Sequence, residues 1–520
     1  MPSSTDVALA AAKGVRSHLV YQVSARILSF LIKALVVRAL KPADFAFGEI
    51  RLYLFVGLTL LPTINGFRPV ALRIASDAHC AALCYFCSFL TVILAALLGT
   101  AMLYVQPEQW RATLVVTASL VVRAFAEPPL IFARRRQRYD QSSRARAIAT
   151  VISGFSQTVA ISLVTDAKYA PVAGALGHLS YSTCLAITMF LACGPQRIPF
   201  LSPSAFLSAL RYDDLAMAFV STGEGAIKYL LENGEGFVLD FSCADAVKAA
   251  YKLASNLGSV MARFFSEALE EQSFNVFHRL TPAFRDKHTD ENREKRSACL
   301  DTLFVAHKSA LLFSVLFALV GPAYSYPLLR LLYGNKWADQ THAPYLLDKY
   351  FIYLVFMAAN GVSEAFVSAS ASTEELKSRT KFTTTLSILY ITALWYAANA
   401  YQAAGIVAVN CANMMLRTCY SAWFFGRLTL KSPLTFLNSL PNVGVLVMLC
   451  VARYISKRSE IHFFGDSVNR IPIDGLYELM TKLIMHAFSG VLAVGLFVLG
   501  LLIFEQRFIS KVRSFRSHQD

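Results

Sequence analysis

The residues of this sequence best placed to do chemistry are charges set inside apolar runs. In the first such run Gln22, Arg26 and Lys33 fall at i, i+4 and i+11, which puts them on one face of a helix. Two cations on one stripe suit an anion, with Arg able to grip phosphate bidentately and Lys acting as a point charge; pairing with carboxylates of a neighbouring helix would use them equally well. Farther on, Glu224, Lys228, Glu232 and Glu235 recur at i, i+4, i+8 and i+11, and Asn256, Arg263 and Glu267 at i, i+7 and i+11 just after Lys252. A charge at the bilayer centre costs at least ~2.5 kcal/mol, so neither stripe can face lipid ionised. Either the two helices line an aqueous cavity, or they lock together through Glu235–Arg263 and Lys228–Glu232 pairs. Arg68, Arg123 with Glu127 before Pro128-Pro129, Asn360 with Glu364, and Asn410, Asn413 and Arg417 on one face complete the candidates. Arg26, Lys33, Arg68, Lys228 and Arg263 are thus expected to line one cavity and meet an anionic ligand. Gln22, Glu127, Glu235, Asn256, Glu364 and Asn410 are expected as its polar or ion-paired lining, with Glu127 and Glu364 leaning toward structural roles beside an Arg or a helix break.

Other chemistries are poorly supported. There is no Gly-rich phosphate loop ending in Lys-Ser/Thr, no His-Glu-x-x-His and no Gly-x-Ser-x-Gly, so neither an ATP-driven pump nor an enzyme is expected. A membrane glycosyltransferase would place paired acids in a sizeable non-cytosolic loop, whereas Asp213-Asp214 fall on the expected cytosolic side. His79, Cys80, Cys84 and Cys87 cluster where a hydrophobic helix begins; lacking a closed polar ligand set, the thiols read as packing residues, and no metal or cofactor is expected.

The elements that must position these charges are membrane helices. Of 520 residues 55% are hydrophobic and 16% charged, with mean hydropathy +0.47, against about 25% charged in ordinary soluble proteins. With about 20 apolar residues per span, fourteen candidates run from 19–40 to 476–504, including charged ones at 50–66, 215–239 and 249–270. The fold expected is an all-α polytopic membrane protein of about fourteen transmembrane helices: a six-helix bundle over 1–200, a second over 201–424, and two additional helices with a tail over 425–520. The mixed-charge stretch 271–302 reads as the connection between halves. Two bundles of equal size are the pattern of transporters built from repeated units.

The net charge of +15 has a topological explanation and requires no nucleic acid. With the N-terminus cytosolic, cytosolic segments carry 27 Lys or Arg and the opposite side 11, as the positive-inside rule predicts. Both termini are therefore expected in the cytosol, although Arg453, Lys457, Arg458 and Arg470 run against the pattern. The first apolar run reads as an anchor rather than a cleaved signal.

Local sequences add a resemblance. Lys252 to Arg263 (KLASNLGSVMAR) with Glu270-Glu271, and Asn360-Gly361-Val362-Ser363-Glu364-Ala365-Phe366, resemble the eukaryotic Rft family of the multidrug/oligosaccharidyl-lipid/polysaccharide exporter superfamily. Ile50-Arg51-Leu52, Phe67-Arg68, Glu127-Pro128, Gly234-Glu235, Leu332-Tyr333-Gly334, Asn410-Cys411 with Asn413-Met414, and Arg417 extend it from the second span through the twelfth. The resemblance implies a multi-pass endoplasmic-reticulum protein of N-glycosylation that moves a dolichyl-diphosphate-linked, mannose-containing oligosaccharide from the cytosolic to the lumenal leaflet by alternating access. Membrane lipids and proteins of the glycosylation pathway would be its other partners. Two further readings stay open: an accessory of lipid-linked oligosaccharide assembly that does not itself translocate, and a drug or cation exporter, which would want a more acidic cavity. The chain departs from the family pattern at Ile64-Asn65, where an Arg-Glu pair is usual, and at Gly236, where Arg usually follows Gly-Glu.

Overall fold

The computed structural model describes residues 34–136, 139–164, 169–193, 199, 201–284, 290–430, 432, 437–466, 469–473 and 475–517. Among these the chain is helical throughout, with one isolated antiparallel bridge between Gly465 and Arg470. It parts into two compact units, Met1–Phe237 and Val238–Asp520. Among the described residues, eight helices are long and apolar enough to cross a membrane. The first expected span lies mostly outside the described residues. The seventh, eighth, eleventh, twelfth and thirteenth form helices that fall short of that apolarity.

The first unit opens with α1 (Pro42–Ala71), longer than the expected 50–66 span and interrupted by wider π turns at Phe47–Leu52 and Pro62–Phe67. Such turns re-aim the following side chains, here Arg68. There follow α2 (Asp77–Val105), α3 (Trp110–Arg135), α4 (Tyr139–Leu163), α5 (Ala170–Cys193), the short α6 (Pro203–Ala209) and α7 (Tyr212–Ser242). α3 runs on through Pro128-Pro129, where a helix break was expected. Proline removes the N–H that would bond four residues back, and the carbonyl of Ala124 thereby freed accepts from Ser88 Oγ at 2.8 Å. The neighbouring helix supplies the missing donor, so the helix continues. α1 and α7 approach closely because glycines face each other's side chains: a Cβ at Gly66 would collide with Thr222, and one at Gly225 with Asn65. Asn65, part of the departure from the family pattern, thus packs against a helix that has made room for it. Cys80, Cys84 and Cys87 sit in an apolar cluster with Phe67, Ile131 and Phe132.

The second unit contains α8 (Asp245–Leu280), α9 (Asp290–Val320), α10 (Ser325–Tyr333), α11 (Asn335–Ala338), α12 (Ala343–Ser370), α13 (Thr373–Thr429), α14 (Val443–Phe464), α15 (Gly475–Phe504) and α16 (Gln506–Ser517). The stretch 271–302 is largely helical rather than an open connection: α8 continues to Leu280 and α9 begins at Asp290, with a Lys295–Glu291 pair one turn apart. Charges of both signs at such spacing support an exposed helix. α13 is two helices meeting at Gln402, whose φ of 54° and ψ of −146° break the helical path, within the loop expected between the eleventh and twelfth spans. At Gly405 a Cβ would meet the Ala397 carbonyl, so the reversal needs glycine there. Its start is set by a capping box, Ser372 N donating to Glu375 Oε2 at 2.8 Å and Glu375 N to Ser372 Oγ at 3.4 Å.

α14 and α15 pack on α9 through Leu312, Val320, Val445, Leu449, Ala452 and Ala493. Polar contacts pin them: Tyr324 Oη to Ser489 Oγ at 2.7 Å, and Lys308 Nζ to Glu505 Oε2 at 2.7 Å, both charges buried. Two basic residues that run against the charge asymmetry are held by one buried acid, Lys457 at 2.7 Å and Arg470 at 3.0 Å from Glu460.

Candidate functional site

Each unit carries a cluster built on one buried or half-buried carboxylate. In the first, Glu127 is 1% exposed on α3, one turn beyond Arg123. Arg68, delivered by the π turn that ends at Phe67, donates from Nη2 to Glu127 Oε2 at 2.7 Å. Arg123 Nε stands 3.4 Å from Glu127 Oε1, without hydrogen-bond geometry, and the Arg123 guanidinium lies 5.4 Å from the centre of the Tyr181 ring. Arg68 Nε and Arg123 Nε and Nη1 are buried with no hydrogen-bond partner among the described residues. Near the end of α3, Arg135 donates to the carbonyls of Ala71, Ile74 and Ala75 and pairs with Asp77 at 2.9 Å. That fastens the connection between α1 and α2 to α3 and so fixes the helix that presents Arg68.

In the second unit Glu364 on α12 accepts from Arg417 Nη2 at 2.6 and 2.8 Å, from Asn360 Nδ2 at 2.7 Å and from Arg379 Nη2. Arg379 also donates from Nη1 to Ser368 Oγ at 2.7 Å. The cluster thus joins α12 to both halves of the kinked α13. Asn410 stands nearby in sequence but makes a separate contact, accepting from Tyr390 Oη at 2.6 Å and donating to Tyr251 Oη at 3.1 Å. Gly361, within the family-like Asn-Gly-Val-Ser-Glu segment, is where the Glu270 side chain crosses α12, and a Cβ there would collide with it.

The remaining expected residues are described only in part. Gln22, Arg26 and Lys33 lie outside the described residues, and so does the side chain of Arg263. Lys228 is 75% exposed and 3.7 Å from Glu232, itself 62% exposed, the intrahelical pairing considered from sequence. Arg68 and Lys228 share no carboxylate: one is buried on Glu127, the other is on the open face of α7. Glu235 and Asn256 are half-buried. The residue missed from sequence is Arg379, which stood in an expected loop; the signal that could have found it is the one-turn spacing of Glu364 and Ser368, two acceptors on one face that its guanidinium spans.

Three comparisons bear on identity. The Schizosaccharomyces pombe "Man(5)GlcNAc(2)-PP-dolichol translocation protein RFT1" is 23% identical over 90% of this chain and 92% of its own length. The Xenopus tropicalis protein of the same name is 24% identical over 92% and 94%. Among solved structures the chain is similar to "Lipid II flippase MurJ, inward closed conformation", with TM-score 0.61 and 13% identity over 93% of this chain and 99% of that one, which shows a shared fold. The family model described as Rft protein matches residues 10–514. This multi-pass membrane chain therefore belongs to the Rft protein family.

Proposed function

We propose that the chain moves a dolichyl-diphosphate-linked, mannose-containing oligosaccharide from the cytosolic to the lumenal leaflet of the endoplasmic-reticulum membrane, with both termini cytosolic. The observation that carries this reading is the likeness over nine-tenths of the chain to relatives named for Man(5)GlcNAc(2)-PP-dolichol translocation. The chemistry fits: the cargo is anionic at its diphosphate, and arginines account for much of the charge placed within the helices of the first unit. Arg26, Lys33, Arg68, Lys228 and Arg263 are the cations assigned to its recognition, with Gln22, Glu127, Glu235, Asn256, Glu364 and Asn410 as polar or paired supports. Glu127 and Glu364 act by holding arginines. In this reading the halves 1–200 and 201–424 rock about the cargo, and the helices of 425–520 brace the second.

The test is reconstitution of the purified protein in liposomes with a defined lipid-linked oligosaccharide, scoring appearance of the glycan in the opposite leaflet. Transfer above protein-free liposomes supports translocation. Absence of transfer by a protein that restores glycosylation in deficient cells would instead establish the accessory role. An exporter of drugs or cations would transport such compounds in the same liposomes and ignore the glycolipid.

A further inference from the structure

We propose that Arg68, Arg123 and Arg146 form a binding site for a phosphate-class oxyanion inside the first unit, with Tyr181 as one wall. The three guanidiniums have one described carboxylate between them, Glu127, and it is hydrogen-bonded by Arg68 alone. Arg146, on α4, is half-buried; its Nε and Nη2 are buried without a hydrogen-bond partner among the described residues, as are Arg68 Nε and Arg123 Nε and Nη1. The Arg68 and Arg123 side chains are about nine-tenths buried, at 9% and 10% exposure. Arg146 is near enough to Arg68, Arg123 and Arg134 to feel their positive charge, and Tyr181 lies within the same reach.

Buried polar groups are almost always hydrogen-bonded, and several like charges held together out of water require compensation. Five guanidinium nitrogens without a hydrogen bond among the described residues, of which Arg123 Nε has a carboxylate contact, at 3.4 Å from Glu127 Oε1, define the missing partner by its chemistry. It must be negative, it must accept several hydrogen bonds at once, and it must suit the planar fork of Arg. A tetrahedral phosphate oxyanion meets all three conditions, whereas another carboxylate would supply two oxygens only. Glu127 takes Nη2 of Arg68 and leaves its Nε without a hydrogen bond, and the Tyr181 ring lies 5.4 Å from the Arg123 guanidinium, within cation–π range. The site is distinct from the second unit's cluster, where Glu364 is hydrogen-bonded by both arginines and Asn360. It does not depend on translocation, since the same chemistry is offered by the diphosphate of a polyprenyl lipid and by the headgroup of an acidic phospholipid.

The experiment uses the full chain purified in detergent, following thermal unfolding with inorganic pyrophosphate, dolichyl diphosphate or phosphatidic acid, and retained lipid by native mass spectrometry. At least one of these should raise the unfolding temperature saturably, and Arg146→Gln should weaken its apparent affinity about tenfold or more, the weight of one charge-assisted contact. Arg146→Gln is the informative variant because Nε and Nη2 of Arg146 make no hydrogen bond among the described residues that folding would lose; Arg123→Gln should act in the same direction. Arg111→Gln, an exposed cation near the opposite end of α3, should leave binding unchanged. Tighter binding of dolichyl diphosphate identifies a glycolipid source, and tighter binding of phosphatidic acid a membrane phospholipid; both support the site. No stabilisation of the wild type by any of the three, or an equal effect in Arg146→Gln, would overturn it.

Discussion

Glu127 and Glu364 solve the same problem in two ways. Each is a helical carboxylate beside two arginines, yet Glu364 is reached by hydrogen bonds from Arg379, Arg417 and Asn360, whereas Glu127 is reached by one, from Arg68. Glu364 retains 24% exposure and its arginines 19% and 29%, while Glu127 has 1% and its partners 9% and 10%. The second cluster is a satisfied joint between helices. The first is more deeply buried and less satisfied, which is the condition under which a charge has work left to do beyond holding the fold.

Removal of each carboxylate should expose the contrast most strongly. Glu127→Ala leaves two arginines buried without their carboxylate and should destabilise the protein by roughly 3–5 kcal/mol, seen as lost thermal stability in detergent; a neutral result would mean that water already reaches those arginines. Glu364→Ala should cost less, roughly 1–3 kcal/mol, because Arg379 and Arg417 can turn toward solvent, and an equal loss at the two sites would erase the distinction. Next in size, Gly225→Leu should cost about 1–3 kcal/mol by overpacking, since Asn65 occupies the space; Gly223→Leu on the same helix, with open space beside it, is the control. The smallest effect is expected for Ser88→Ala, which removes the donor to the Ala124 carbonyl and should cost about 0.5–1.5 kcal/mol, measured the same way. Arg135→Gln sharpens the comparison differently. Its fan of carbonyl contacts steadies the helix end that presents Arg68, so limited proteolysis between α1 and α2 should accelerate in that variant, while cleavage around Glu364 should not change.

Much of the fold was legible without coordinates because apolar runs of bilayer length can only be helices when every backbone group must bond internally. Individual boundaries were less so. The charged stretch 271–302 looked like a linker and extends two helices instead, since charges of both signs one turn apart stabilise a helix as readily as they solvate a loop. Pro128-Pro129 looked like a break and is not one, because the rescue comes from Ser88 on another helix. Spans seven, eight and eleven to thirteen fall short of the apolarity that would mark them.

Residue type and spacing determined by themselves that this is a helical membrane protein, that its charges inside apolar runs cannot face lipid, and that Arg123 and Glu127, or Asn360 and Glu364, share a helix face. Those properties are local: they follow from the helical period and from the cost of burying charge. Which arginine meets which carboxylate was decided only by the tertiary structure. Arg68 and Glu127 are 59 residues apart, and Arg417 and Glu364 are 53, and no periodicity reaches across that distance; the pairing is set by a π turn that aims Arg68 and a kink at Gln402 that folds α13 back. The orphaned nitrogens of Arg68, Arg123 and Arg146 belong to the same class of fact, because a missing partner is visible only once every neighbour has been placed.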